Sequence, residues 1–151
     1  MYDKQEHRID LANGIARLGA IFYVLWGLLH YNAAYGAFKF ASKVPASMER
    51  GQLRQFAFYL AFFATTGIVV GIVLNWRNDR LGFWLNAIAV SAGDIPFILF
   101  VLLPGYMPFW QGVLGPALWS AALVCTAIGR SSRLQVMPAG RSASSAAGAG
   151  L

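Results

Sequence analysis

The chain has 151 residues, of which 58% are hydrophobic, 15% aromatic and only 12% charged, with a mean hydropathy of +0.54. A soluble domain carries about 25% charged residues, so a water-facing fold of this size is excluded. The formal charge of +6 does not point to nucleic acid either, because the twelve Lys and Arg stand at the ends of apolar runs and not in one aromatic-basic patch.

Four apolar spans follow in chain order, at about residues 14–38, 56–76, 81–103 and 107–129. Each is close to the roughly 20 residues that a helix needs to cross about 30 Å of hydrocarbon. A polar N-terminal arm (1–13) precedes the first span, whose apolar run is too long for a cleaved signal. The second and third are joined by "NWRNDR", and the third and fourth by "PGYMP", a turn built by Pro104, Gly105 and Pro108. Such short connections make neighbours antiparallel. The predicted fold is therefore all-α: a polytopic membrane protein with four transmembrane helices in an up-down-up-down bundle over residues 14–130. The tail, residues 131–151, is rich in Ser, Ala and Gly and is expected to be a disordered cytoplasmic extension.

Orientation follows from the basic residues. One side of the predicted bundle carries Lys4, Arg8, Arg17, Arg77, Arg80, Arg130, Arg133 and Arg141, against Lys39, Lys43, Arg50 and Arg54 on the other. Eight against four favours both termini in the cytoplasm. Trp76, Trp84 and Trp110 fall at span ends, where indole rings prefer the headgroup region.

Against this background "SAGDIPF", residues 91 to 97, is the anomaly. An ionised carboxylate at mid-bilayer costs about 2.5–3.5 kcal/mol on insertion scales, and intramembrane ionisable residues are usually functional. Counted at about 1.5 Å per residue, Asp94 lies about 20 Å along the third span and His30 about 22 Å along the first. The two side chains share a level, and diagonal helices would let them face each other and hold one proton between them. Pro96 removes a helical donor and is expected to kink the third helix, while Gly93 permits close approach. Helical spacing puts Tyr23, Gly27, His30 and Ala34 on one face that can admit a flat ligand. Thr65 and Thr66 fall near the same layer, and Tyr59, seven residues before Thr66, brings a hydroxyl towards it. The predicted site thus comprises Asp94 and His30 as proton-exchanging residues, with Tyr23, Gly27, Tyr59, Thr66 and Gly93 binding the ligand. Asp94 as simple interhelical glue is the structural alternative.

Metal binding is not expected, since His30 is the only histidine inside a span and Cys125 the only cysteine. The lone thiol also excludes an internal disulfide and a CxxC redox pair. No cofactor is identified. "GIVVG", Gly67 to Gly71, has the spacing of a helix-packing motif.

The stretch "ARLGAIFYVLWGLLHYNAA", with Arg17 near the start of the first helix, resembles the DoxX-like group of small bacterial membrane proteins. "NWRN", "PGY" and "GPALW" are similar to uncharacterised bacterial four-span proteins. The resemblance implies a multi-pass protein of the bacterial inner membrane, accessory to redox chemistry, and supplies no catalytic residues.

Two functional expectations result. One is a site inside the bundle for a quinone-like, sterol-like or other lipophilic small molecule, with Asp94 and His30 exchanging a proton. The other is a non-catalytic scaffold or accessory subunit that binds partner helices through "GIVVG" and aromatic faces. Proton-coupled transport would require a homo-oligomer. The expected partners are the lipid bilayer, the small molecule, and a second copy or partner membrane subunit, with no nucleic acid. No reaction is assigned.

Overall fold

The computed structural model describes residues 2–136. It is all-helical: α1 (Tyr2–Lys43), α2 (Met48–Val73), a 3-10 turn (Asn75–Arg77), α3 (Arg80–Phe97), a π-helical turn (Ile98–Leu102), α4 (Phe109–Gly112) and α5 (Leu114–Val136). Four helical stretches, Gln5–Lys43, Met48–Arg77, Arg80–Leu102 and Phe109–Ser132, are long and apolar enough to cross a membrane.

Local chemistry sets the boundaries. Ser47 caps α2 by accepting from the Arg50 N–H at 3.4 Å. Asp79 caps α3 more tightly, accepting from the Leu81 N–H at 2.7 Å. Between them Asn78 takes the left-handed conformation, φ 54°, that Asn tolerates better than most residues. The turn after α3 uses Gly105 at φ 77°, where a side chain would be strained.

Two predicted borders move. Residues 2–13 of the expected arm open α1, because Gln5, Glu6, Arg8, Leu11 and Ala12 are helix-favouring residues with no breaker among them. At 42 residues α1 is about 63 Å long, more than a bilayer with its headgroups. At the other end α5 runs on to Val136, so the first six residues of the predicted tail are helical. Residues 137–151 lie outside the described residues. Pro96 does not end α3. The helix passes through it to Phe97 and then widens, with the Leu103 N–H reaching the Ile98 carbonyl at 2.9 Å across a π-helical turn.

The helix α1 packs against α2 and α5, and α3 also lies against α2 and α5. Small residues permit the close approach. A Cβ on Gly129 would stand 2.6 Å from the Ala12 carbonyl oxygen, and one on Gly19 would stand 2.6 Å from Thr126 Cγ2. Along α2, a Cβ on Gly67 would meet the Trp26 ring at 3.2 Å and one on Gly71 the Ala20 carbonyl at 3.4 Å. "GIVVG" therefore packs on α1 of its own chain. Both glycines are buried against α1, while Val69 between them is exposed.

The core is narrow and unusually polar. Tyr23, Trp26, Val90 and Ala122 form its apolar cluster, yet Asn75, Asn86, Asp94 and Thr126 are also buried.

Candidate functional site

On α3 the residues Gly82, Asn86, Val90 and Asp94 are all buried. Their four-residue spacing draws one stripe down the helix facing inward. Facing it from α1 is a stripe of Tyr23, Trp26 and His30, of which the first two are fully buried. The two stripes meet at Asp94.

Trp26 makes the decisive contact. Its indole Nε1–H donates to Asp94 Oδ2 at 2.7 Å, inside the core. One helical turn further on, the His30 ring stacks on the Trp26 ring with centroids 3.9 Å apart and planes 27° from parallel. His30 Nδ1 lies 2.9 Å from the Trp26 carbonyl oxygen. Because a carbonyl only accepts, Nδ1 must carry the hydrogen, and the tautomer is fixed. His30 Nε2 is left facing Asp94 Oδ1 at 3.7 Å.

The electrostatic consequence is specific. With Nδ1 protonated and the ring neutral, Nε2 presents a lone pair to an oxygen that has no other partner. Two opposed lone pairs in a dry core are unfavourable. A proton on either atom removes the conflict, making the pair an imidazolium with a carboxylate or an imidazole with a carboxylic acid. The geometry therefore suits one proton held jointly. The separation exceeds a hydrogen bond, so neither atom is saturated by the other.

Access is asymmetric. The Asp94 side chain is 1% exposed and that of His30 14%. Beside them α5 presents Gly115, where a Cβ would stand 3.7 Å from Asp94 Oδ1 and 3.9 Å from His30 Nε2. No side chain of α5 fills this position next to both reactive atoms.

The predicted site residues divide into three groups. Asp94 and His30 come together, and Gly93 lies beside them, with its would-be Cβ 3.8 Å from Trp26 Cζ2. Tyr23 lies deeper in the core on the same face of α1. Gly27, expected to leave room for a flat ligand, instead admits α2, since the space beside it holds Ile68 and the Ala64 carbonyl. Thr66 and Tyr59 do not join the site. The Thr66 hydroxyl donates to the Phe62 carbonyl on its own helix, and exposed Tyr59 pairs with Gln55. Thr65 likewise meets Tyr31 at 2.6 Å, on an exposed edge.

Trp26, Gly115 and Asn86 are additions from the structure. A mid-span tryptophan four residues before a histidine is a readable signal for the first, because a buried indole N–H requires an acceptor. Gly115 carries no such signal, as its place beside the pair depends on the register of α5 against α1. Among the described residues no group of three or more His, Cys, Asp or Glu side chains converges as a metal site would require. Comparison with protein-family models, curated proteins and solved structures gives no match.

Proposed function

We propose that this chain is a multi-pass protein of the bacterial inner membrane in which Asp94 and His30 exchange a proton with a lipophilic small molecule, quinone-like in class. The carrying observation is the committed Nδ1 of His30, which leaves Nε2 and the unpartnered Asp94 Oδ1 facing each other at 3.7 Å. A ligand oxygen that reaches this pair past His30, the more exposed of the two at 14%, would find a proton donor or acceptor already oriented. Gly115 lets α5 pack directly on the His30 ring, where a Cβ would stand 3.2 Å from Cε1, so α5 adds no polar group to the pair. Trp26 acts as a positioning residue, since its N–H fixes the carboxyl while its ring fixes the imidazole.

The membrane arrangement in this proposal is up-down-up-down. Contacts between α1 and α5 pair Ala12 with Gly129, Gly19 with Thr126 and His30 with Gly115, a register that rises along one helix as it falls along the other. Those between α1 and α2 pair Ala20 with Gly71, Trp26 with Gly67 and Gly27 with Ala64, again in opposite senses. The eight-to-four distribution of basic residues then sets both termini in the cytoplasm. A reporter fused after Leu151 is expected to be active only if it functions in the cytoplasm. A periplasm-only signal would reverse the orientation. The resemblance to the DoxX-like group agrees with this location.

The ligand is tested directly by native mass spectrometry of the protein extracted from its membrane. A stoichiometric lipophile bound to the wild-type chain is the expected result. A chain that carries only bulk phospholipid, at the same level in wild type and Asp94→Asn, would count against the site.

A further inference from the structure

Among the described residues five buried side-chain polar atoms have no hydrogen-bond partner by strict geometry; four of them, both amide atoms of Asn75, Oδ1 of Asn86 and Oδ1 of Asp94, follow one internal line, and the fifth, the Tyr23 hydroxyl, borders it from α1 with Thr126 of α5 as its nearest polar neighbour. Scattered packing errors in a sequence would not fall on one line. The line follows the inward stripe of α3, with Asn75 at its foot. A Cβ on Gly82 would collide with Asn75 Oδ1, which places the Asn75 amide against the first residue of the stripe. One turn on, about 6 Å along the axis, comes Asn86, whose Nδ2 donates to the Gly67 carbonyl at 3.3 Å. Tyr23 faces the same level, since a Cβ on Gly71 would lie 3.4 Å from Tyr23 Cβ and 4.0 Å from Asn86 Nδ2. Two further turns reach Asp94.

Each such orphaned atom costs about 1–3 kcal/mol in a dry interior. Two residues of the stripe, Asn86 and Asp94, and two beside it, Asn75 and Tyr23, carry the defect, and the small partner that can both donate and accept at each of them is water. Val90 is the one apolar step between Asn86 and Asp94. Gly67 flanks that step from α2, with its carbonyl accepting from Asn86 and a position where a Cβ would stand 3.2 Å from the Trp26 ring and 3.6 Å from Val90 Cγ2.

We infer that Asn75, Asn86 and Tyr23 line an internal file of water molecules that carries protons between the Asp94–His30 pair and the end of the bundle at the Asn75–Arg77 turn. This rests on the proton-exchanging role proposed for the pair and supplies what that role lacks. A pair that gives its proton to a ligand at the His30 edge must be reprotonated, and the titratable groups along the buried line are Asp94, His30 and Tyr23 themselves. In the file, a proton entering at the turn displaces one along the waters to Oδ1 or Nε2, so none is lost or gained overall. Ligand and proton then reach the pair from opposite directions. The ligand comes from the partly exposed side of His30, and the proton along the closed core.

The test uses the whole chain in lipid nanodiscs. Water-edited NMR should show magnetisation passing from water to the side-chain amides of Asn75 and Asn86 and to the Trp26 indole N–H. Exchange of that indole hydrogen with bulk deuterium should slow roughly tenfold in Asn86→Leu. Should that variant not fold, Tyr23→Phe, which removes only the hydroxyl, is read in its place and should slow it in the same direction. Absence of water contacts at Asn75 and Asn86 in the wild type overturns the file. So does water at both with unchanged indole exchange in the variant, since the waters would then be structural only. Asp94→Asn leaves the three lining residues intact, and their water contacts should persist in it. Failure of the ligand site and failure of the file are thereby separate results.

Discussion

Replacing Trp26 with phenylalanine is expected to lower the unfolding free energy by about 1–3 kcal/mol, the usual cost of stranding a buried polar group. Phenylalanine keeps an aromatic ring for His30 to stack upon but removes the N–H that Asp94 Oδ2 accepts at 2.7 Å. Asp94 Oδ1 already has no protein partner within hydrogen-bond distance, so in the variant neither oxygen of a carboxyl that is 1% exposed keeps a protein hydrogen bond. Loss of ring volume adds a smaller packing cost. The two causes are separable by a second change. In Trp26→Phe combined with Asp94→Leu both partners are gone, and removing both members of a buried polar pair is nearly neutral, so most of the stability should return. Thermal unfolding in nanodiscs reads all three chains. A Trp26→Phe protein as stable as the wild type, or a double variant less stable than the single one, would mean that the indole–carboxyl bond does not hold α1 to α3.

The helices were legible in the sequence because apolar length is a property of each segment alone. The four runs and the "PGYMP" turn correspond to features of the chain in three dimensions. Helix ends were less legible, since hydropathy marks where an apolar run stops and not where helix-favouring polar residues carry the backbone onward, as Gln5 to Ala12 do in α1. The meeting of His30 with Asp94 was readable by depth, which needs only a rise per residue. Rotation about each helix axis is harder, and it accounts for the remaining differences. Thr66 and Tyr59 lie on α2 faces turned away from the pair, and the Thr66 hydroxyl returns to its own helix, the common outcome for Ser and Thr in apolar helices. Gly27 sits on the correct face of α1, but small residues admit whatever lies nearest, here α2. The buried asparagines are not marked in the sequence, since "NWRNDR" reads as a polar connection and Asn86 stands out only once the inward stripe of α3 is known.

The pair itself is expected to behave as a unit. Asp94→Asn retains an acceptor for the Trp26 N–H and turns an amide N–H towards His30 Nε2, the lone-pair side of the ring. Folding should survive, with a melting temperature close to that of the wild type. The amide cannot take up or release the shared proton, however, so retention of the lipophile should fall about tenfold or more, equivalent to about 1.4 kcal/mol. His30→Phe should give the same loss by the opposite route, since a phenyl ring preserves the stack on Trp26 and abolishes both ring nitrogens. Once either partner is absent there is no joint proton left for the other to hold. The double variant should therefore bind about as weakly as each single one, giving a coupling energy within the roughly 0.5–3 kcal/mol range of contacting residues. Native mass spectrometry supplies the binding readout and thermal unfolding the control for folding. Wild-type retention in Asp94→Asn would reduce the carboxyl to a hydrogen-bonding tie between helices. Additive losses in the double variant would mean that His30 and Asp94 contact the ligand independently, with no proton held between Nε2 and Oδ1.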